Sequence, residues 1–365
     1  MNGLVRRLFG ESALIPVASV AIGLLLGAVI MLAGSYNPIL AYGSLFSRAF
    51  GDMYNLGETI RQITPYIFTG LSVAFAFRSG LFNIGAEGQF IMGAVAAAAV
   101  GVLIELPWYT HVPLALIASA LAGGLWGAIV GWLKAARGVH EVITTIMLNW
   151  IALHLANYIV RSALLEKGMA RSRYIHESAW LSNPDLTGLF DNARIHYGIL
   201  IALVLAALFR FLLWKTKQGF EFRAVGFNPD ASEYAGINVK STFVKAMFIS
   251  GLFAGVGGAC EVLGVFHYQT VSSAFPGYGL MGIAVALIGR NSAVGVVLGA
   301  VLIGVLTYGA SGMKFGAGVP EELIHVVIAL VIFFVAASGI VEWMVRRFRN
   351  RNGVVHGHDD ASGGR

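Results

Sequence analysis

KTKQGFEFRAVGFNPDASEYAGINVKSTFVK, residues 215–245, is the longest polar interruption in the second half of a very apolar chain, and its reading decides the fold. An apolar run over 195–214 leads into it and another over 242–264 leads out, each long enough to cross a bilayer as a helix. Between them the stretch specifies a short helix of its own. Asn228 suits the N-cap, Pro229 the first helical position, and Asp230 follows where the helix dipole favours an anion. Gly236 is placed to end the helix in a left-handed conformation. Ala231, Tyr234 and Ala235 share one face. A helix this short is marginal in water by itself and needs a surface to lean on. That surface is either its own membrane domain or a separate partner.

Working outward, the 365 residues are 57% hydrophobic and only 12% charged. No soluble domain of this size hides that much apolar surface, so the chain is read as an all-α polytopic membrane protein. The net charge of +6 suits basic membrane edges, with lipid as a partner and no nucleic acid. The single cysteine, Cys260, excludes an intrachain disulfide. The opening MNGLVRRLFGES and the apolar run to Ala33 are read as a retained first span.

A 20-residue window predicts about ten spans. They lie near 13–34, 60–77, 89–106, 112–133, 141–160, 195–214, 242–264, 278–289, 293–312 and 323–343. The eighth is too short to cross as a straight helix and follows Phe275, Pro276 and Gly277, so a broken or re-entrant element is expected there. With both termini inside, roughly two-thirds of the Lys and Arg residues fall on the cytoplasmic side, as the positive-inside rule requires. This N-in/C-in orientation puts the 228–236 helix in the cytoplasm. Residues 1–345 are expected to form one transmembrane domain, with a cytoplasmic loop at 215–245 and an outer loop at 161–194; the polar tail 346–365 is expected to be disordered. Gly123, Gly127 and Gly131, Gly251 and Gly255, and Gly295 and Gly299 carry GxxxG spacing, which lets helix backbones approach closely.

The chain has no Gly-Lys dipeptide and so no Walker A loop; HExxH, GxSxG and CxxC are also absent. No catalytic residue, metal site or bound cofactor is therefore expected. The candidate pathway residues are polar groups in apolar surroundings. Asn83, Glu87 and Gln89 lie in SGLFNIGAEGQ, 79–89, where they either line a broken-helix pathway or serve packing; for Glu87, at the positive end of a helix, the packing reading is favoured. Asn149 and Asn157 are eight apart and share a helix face, and either meet a polar solute or join helices. His267, Tyr268 and Gln269 precede the short eighth segment and are open in the same way. Glu87, Glu141 and Glu261 lie near segment ends, which weakens a proton-coupled mechanism. In the outer loop, Arg161, Arg171 and Arg173 either dock a soluble protein or belong to a solvated lid.

GLSVAFAFRSGLFNIGAEGQFIMGA, 70–94, and FRAVGFNPDASEYAGINV, 222–239, resemble the membrane permeases of binding-protein-dependent ABC importers, in the branch with the branched-chain amino acid, ribose and nucleoside systems. EVITTIMLNWIALHLANYIV, 141–160, with the long outer loop after it, is most similar to the nucleoside (guanosine-type) permeases. The resemblance implies a permease subunit in the bacterial cytoplasmic membrane. It would work with ABC ATPase subunits that carry ATP and Mg, an extracytoplasmic solute-binding protein, and a second permease chain, a paralogue or itself. It places ATPase coupling on Asn228, Pro229, Ala231, Glu233 and Gly236, to which the local reading adds Asp230 and Tyr234. The rival readings are an ion-gradient-driven secondary transporter, a passive channel, or the same ABC role with a sugar or amino acid substrate.

Overall fold

A computed structural model describes residues 11–337 together with 339 and 342. The tail 346–365 lies outside the described residues. The helices run in the order α1 Glu11–Ala33, α2 Pro38–Phe50, α3 Met53–Arg78, α4 Ala86–Leu103, α5 Trp108–Arg137, α6 Glu141–Ile159, α7 Pro184–Leu189, α8 Gly198–Lys215, α9 Lys217–Phe227, α10 Pro229–Tyr234, α11 Val239–Glu261, α12 Tyr278–Ile288, α13 Ala293–Ala317 and α14 Glu321–Ala336. π-helical turns extend α6 over Val160–Leu164 and α11 over Val262–Phe266. Among the described residues no strand forms, only two isolated bridges.

Among the described residues six helices are long and apolar enough to cross a membrane: α4, α5, α6 and α11 with their π turns, α8 and α13. The chain is thus an all-α, multi-pass membrane protein. The expected second span lies within α3, which is not among these six and carries Glu58, Arg61 and Arg78. Its residues from Ile63 to Ala76 are buried, so its polar positions face protein rather than lipid. α12 has 11 residues, about 16 Å at helical rise, and does not cross as a straight helix.

Two compact units divide the chain, Met1–Leu45 with Ala310–Arg365, and Phe46–Gly309. In the first, α1 packs on α14: Gly23 lies against the Val331 backbone, and the Tyr42 hydroxyl donates to the Leu24 carbonyl at 2.6 Å.

In the second unit the GxxxG stripes meet one another. Gly123 of α5 faces the backbone of Gly251 and Gly255 of α11, Gly127 faces the Met247 carbonyl, and Gly131 faces Val244. Ser119 donates to the Gly255 carbonyl at 2.7 Å, which helps lock that register. A side chain at these glycines would meet backbone, which cannot move aside, so α5 and α11 approach as closely as two helices can. The third pair works differently: Gly295 lies against Gly289 and Gly299 against Val285 and Ile288, closing the turn between α12 and α13. An aromatic core of Phe75, Phe209, Phe222 and Phe253 joins α3, α8, α9 and α11, with ring centroids 5.3–6.0 Å from Phe75.

Candidate functional site: the two ends of α11

At the N-terminal end of α11 the short helix α10 forms with the predicted caps. The Asn228 side chain accepts from the Ala231 N–H at 3.0 Å, Pro229 occupies the first turn, and Asp230 follows. Gly236 takes φ +86°, and the Gly236 and Ile237 N–H groups donate back to Glu233 and Ser232, both at 2.9 Å. Ser232 is buried and donates within the helix to the Asn228 carbonyl at 2.8 Å. The face of Ala231, Tyr234 and Ala235 points away and is exposed, as is Glu233; Tyr234 is 97% exposed and the neighbouring Phe227 94%. A cleft of about 720 Å³ lies beside α10, reaching from Asn228 and Ala231 to Arg78 and Asn291. In it, Arg78 donates to the Asn291 carbonyl at 2.8 Å and the Arg290 carbonyl at 3.2 Å, and Arg223 covers the Trp214 ring at 4.2 Å.

Four of the polar residues singled out in the apolar segments prove to tie elements together. Asn83 donates to Gln89 at 2.9 Å and Ser250 at 2.7 Å, and Ser250 donates to the Ser72 carbonyl at 2.7 Å, so α3, α4 and α11 share one buried network. Asn149 of α6 accepts the Gly88 N–H at 2.8 Å and donates to the Ile84 carbonyl at 3.1 Å. Asn157 exchanges two hydrogen bonds with the Ser272 backbone, at 2.7 and 3.1 Å.

Glu87 is fully buried, and its carboxylate accepts the N–H groups of Gly277 at 2.7 Å, Gly279 at 2.6 Å and Leu280 at 3.1 Å. These are the unpaired donors at the start of α12. Its structural role is thus to cap a helix 190 residues away, beyond the positive end of its own helix that the local reading considered. Gly279 lies directly against the Glu87 backbone, which lets α12 come close enough to be capped.

At the C-terminal end of α11 lies a charge cluster in which Glu58, Arg61 and Glu261 are buried and Arg194 is exposed. Arg61 pairs with Glu58 at 2.9 Å and lies 3.7 Å from Glu261. Arg194 reaches the same Glu58 with Nε at 3.0 Å and a terminal nitrogen at 2.8 Å, and that carboxylate holds the Arg194 guanidinium above its ordinary range. The Tyr278 hydroxyl donates to Glu261 Oε1 at 3.0 Å. Glu261 Oε2, also buried, has no hydrogen-bond partner among the described residues. The sequence places Glu261 near a segment end and gives no local reason to join it to Arg61. The signal available was the E-x-x-R spacing in ETIRQ, 58–62, which puts acid and base on one helix face.

A cavity of about 230 Å³ opens beside this cluster. Phe90, Phe266, Phe275 and Tyr278 contribute rings to it, together with the predicted Tyr268. Glu261, the predicted Gln269, Thr270 and Ser272 supply polar groups. His267 takes left-handed φ +58° and stacks on Trp180 at 4.1 Å; burial pushes its imidazole below the ordinary value. The 161–194 segment closes over this region, with the Ser172 N–H donating to the Gln269 carbonyl at 2.8 Å. Arg171 is held by Glu166 and the Tyr174 hydroxyl, both at 2.9 Å, and lies between the Tyr174 and Tyr268 rings at 4.4 and 4.5 Å. Arg161 and Arg173 are exposed.

Known proteins give this geometry its context. The chain is 50% identical to the guanosine ABC transporter permease protein NupP of Bacillus subtilis (strain 168), over 95% of this chain and 99% of that one. It is 38% identical to the nucleoside ABC transporter permease protein NupB of Lactococcus lactis subsp. cremoris (strain MG1363), over 94% and 95%. It is 35% identical to the glucose ABC transporter permease protein TsgB13 of Haloferax volcanii, over 88% and 87%. No solved structure matches it. The family described as branched-chain amino acid transport system / permease component matches residues 55–336, which hold both the α10 region and the buried charge cluster, and the chain belongs to that family.

Proposed function

We propose that this chain is the permease subunit of an ATP-driven nucleoside importer in the bacterial cytoplasmic membrane. The observation that carries this reading is 50% identity over almost the whole of both chains to a guanosine permease. The glucose permease relative, at 35% identity, supports a sugar as the second reading.

In this proposal the chain crosses the membrane about ten times with both termini inside, α3 counts as a crossing, and α12 is a broken element. ATP and Mg sit on partner ATPase subunits that dock on α10, at Asn228–Gly236. The exposed Phe227 and Tyr234 rings support that placement, since large aromatic anchors are what protein interfaces use. A solute-binding protein docks on the outer loop, where Arg161 and Arg173 are free to meet it and Arg171 is already engaged. A second permease chain, a paralogue or another copy, completes the pathway.

Movement of α10 would reach the outer end through rigid parts. The cleft beside α10 contains Arg78, which holds the Arg290–Asn291 turn after α12. α12 is clamped at its other end by Glu87 and begins with Tyr278, which touches Glu261. A shift of the ATPases would thus tilt α12 against the cavity near Glu261 and switch its access.

The test is radiolabelled guanosine uptake in proteoliposomes holding the chain with its encoded neighbours. Uptake that requires internal ATP and survives collapse of the proton gradient is expected. Uptake that follows the gradient with ATP intact would favour a secondary transporter.

A further inference from the structure

We propose that the cavity beside Glu261 is a nucleobase subsite, in which the free carboxylate oxygen accepts an N–H donor on the edge of the base. The proposal rests on the nucleoside-importer reading above and names the part of the solute that the permease itself distinguishes.

Three observations converge. The first is an acceptor without a donor. Glu261 is 4% exposed, its Oε1 takes the Tyr278 hydroxyl, and its Oε2 has no partner among the described residues. A buried carboxylate oxygen left this way is costly, and a ligand N–H removes that cost with a charge-assisted bond. The second is charge. Arg61 and Arg194 match Glu58 and Glu261 in number, so the cluster requires no cationic ligand for balance. A neutral base fits that balance better than an ammonium group. The third is the wall. Phe90, Phe266, Tyr268, Phe275 and Tyr278 line the same cavity, and flat rings are what a flat heterocycle stacks on.

Size limits what enters. At about 230 Å³ the cavity lies below the ~300–1,000 Å³ usual for whole small-molecule ligands, so it takes one ring system. The sugar would then extend toward Gln269, Thr270 and Ser272 at the rim. Five aromatic rings offer more flat stacking surface than a sugar alone uses, so the geometry favours the base.

The test uses the whole transporter in proteoliposomes and labelled guanosine. Unlabelled guanosine, which carries N–H donors on its base edge, and purine riboside, which carries none, compete with it. In the wild type, guanosine should compete at least about tenfold better. In Glu261→Gln, which keeps the volume and removes the charged acceptor, that ratio should fall by about tenfold, toward one. A general loss of packing would instead weaken both competitors alike. If Glu261→Gln transports with the wild-type ratio, Oε2 is satisfied by a buried water only, and the subsite is overturned. If Glu261→Gln fails to reach the membrane, the exposed Phe266→Ala decides. A rise of about fivefold or more in both competition constants supports the stacking wall, and unchanged constants overturn it. If the wild type takes up no guanosine under ATP, the importer reading fails and the subsite with it.

Discussion

At the C-terminal end of α11 buried charge is met by charge: Arg61 and the exposed Arg194 close on the buried Glu58, and Arg61 approaches Glu261. At its N-terminal end, one helix length away, Phe227 and Tyr234 stand almost wholly exposed on a small helix with well-formed caps. The contrast follows from what surrounds each end. Ionised groups among packed helices are held only if they pair within the chain. Large exposed rings have no such internal solution, and an interface is their usual use. The first end is held by contacts within the chain, while the second leaves its rings open.

The largest effect is expected from breaking the charge balance. Arg61→Met leaves Glu58 and Glu261 buried with less countercharge and should cost about 3–5 kcal/mol. It would be read as a lower melting temperature in detergent or as loss of membrane insertion. An Arg61→Met protein that melts like the wild type would mean that this cluster is hydrated rather than dry. At the other end, the double change Phe227→Ala, Tyr234→Ala should weaken ATPase association by about 2 kcal/mol or more, near thirtyfold, while leaving the melting temperature almost unchanged. Equal ATPase affinity would move the docking surface away from α10.

Gly236→Pro sharpens the same end. Its φ of +86° lies far outside proline's range, and proline removes the N–H that caps α10, so the chain should insert while coupled uptake fails. Normal ATP-driven uptake by this variant would count against the coupling role. Glu87→Leu removes the carboxylate that satisfies three N–H groups at α12 and should cost about 1–3 kcal/mol, measured by thermal unfolding. A smaller loss would show that water reaches the start of α12.

The smallest effect belongs to the 161–194 loop. Arg173→Glu changes an exposed charge and should slow association of the solute-binding protein severalfold at low salt, with the difference fading at high salt. Arg171→Glu should do more, because it also breaks the contacts with Glu166, Tyr174 and Tyr268. Equal effects of the two changes would mean that the stacked Arg171 is not held in place.

By itself the sequence determined the membrane class, the position and both caps of α10, the close-packing glycines of α5 and α11, and the shortness of α12. Each of these is written within a few residues: a cap acts three or four positions away, a GxxxG stripe within one turn, and hydropathy over one window. The tertiary structure decided which way α10 faces, since both of its faces carry plausible contacts and only packing buried Ser232 and left Tyr234 out. It also decided that Asn83, Gln89, Asn149 and Asn157 join helices, that Glu87 caps α12, and that Arg61, Glu58, Arg194 and Glu261 form one cluster. A polar residue in an apolar run announces only that it needs a partner. In a bundle of helices that partner comes from another segment, at a sequence distance that no local pattern records.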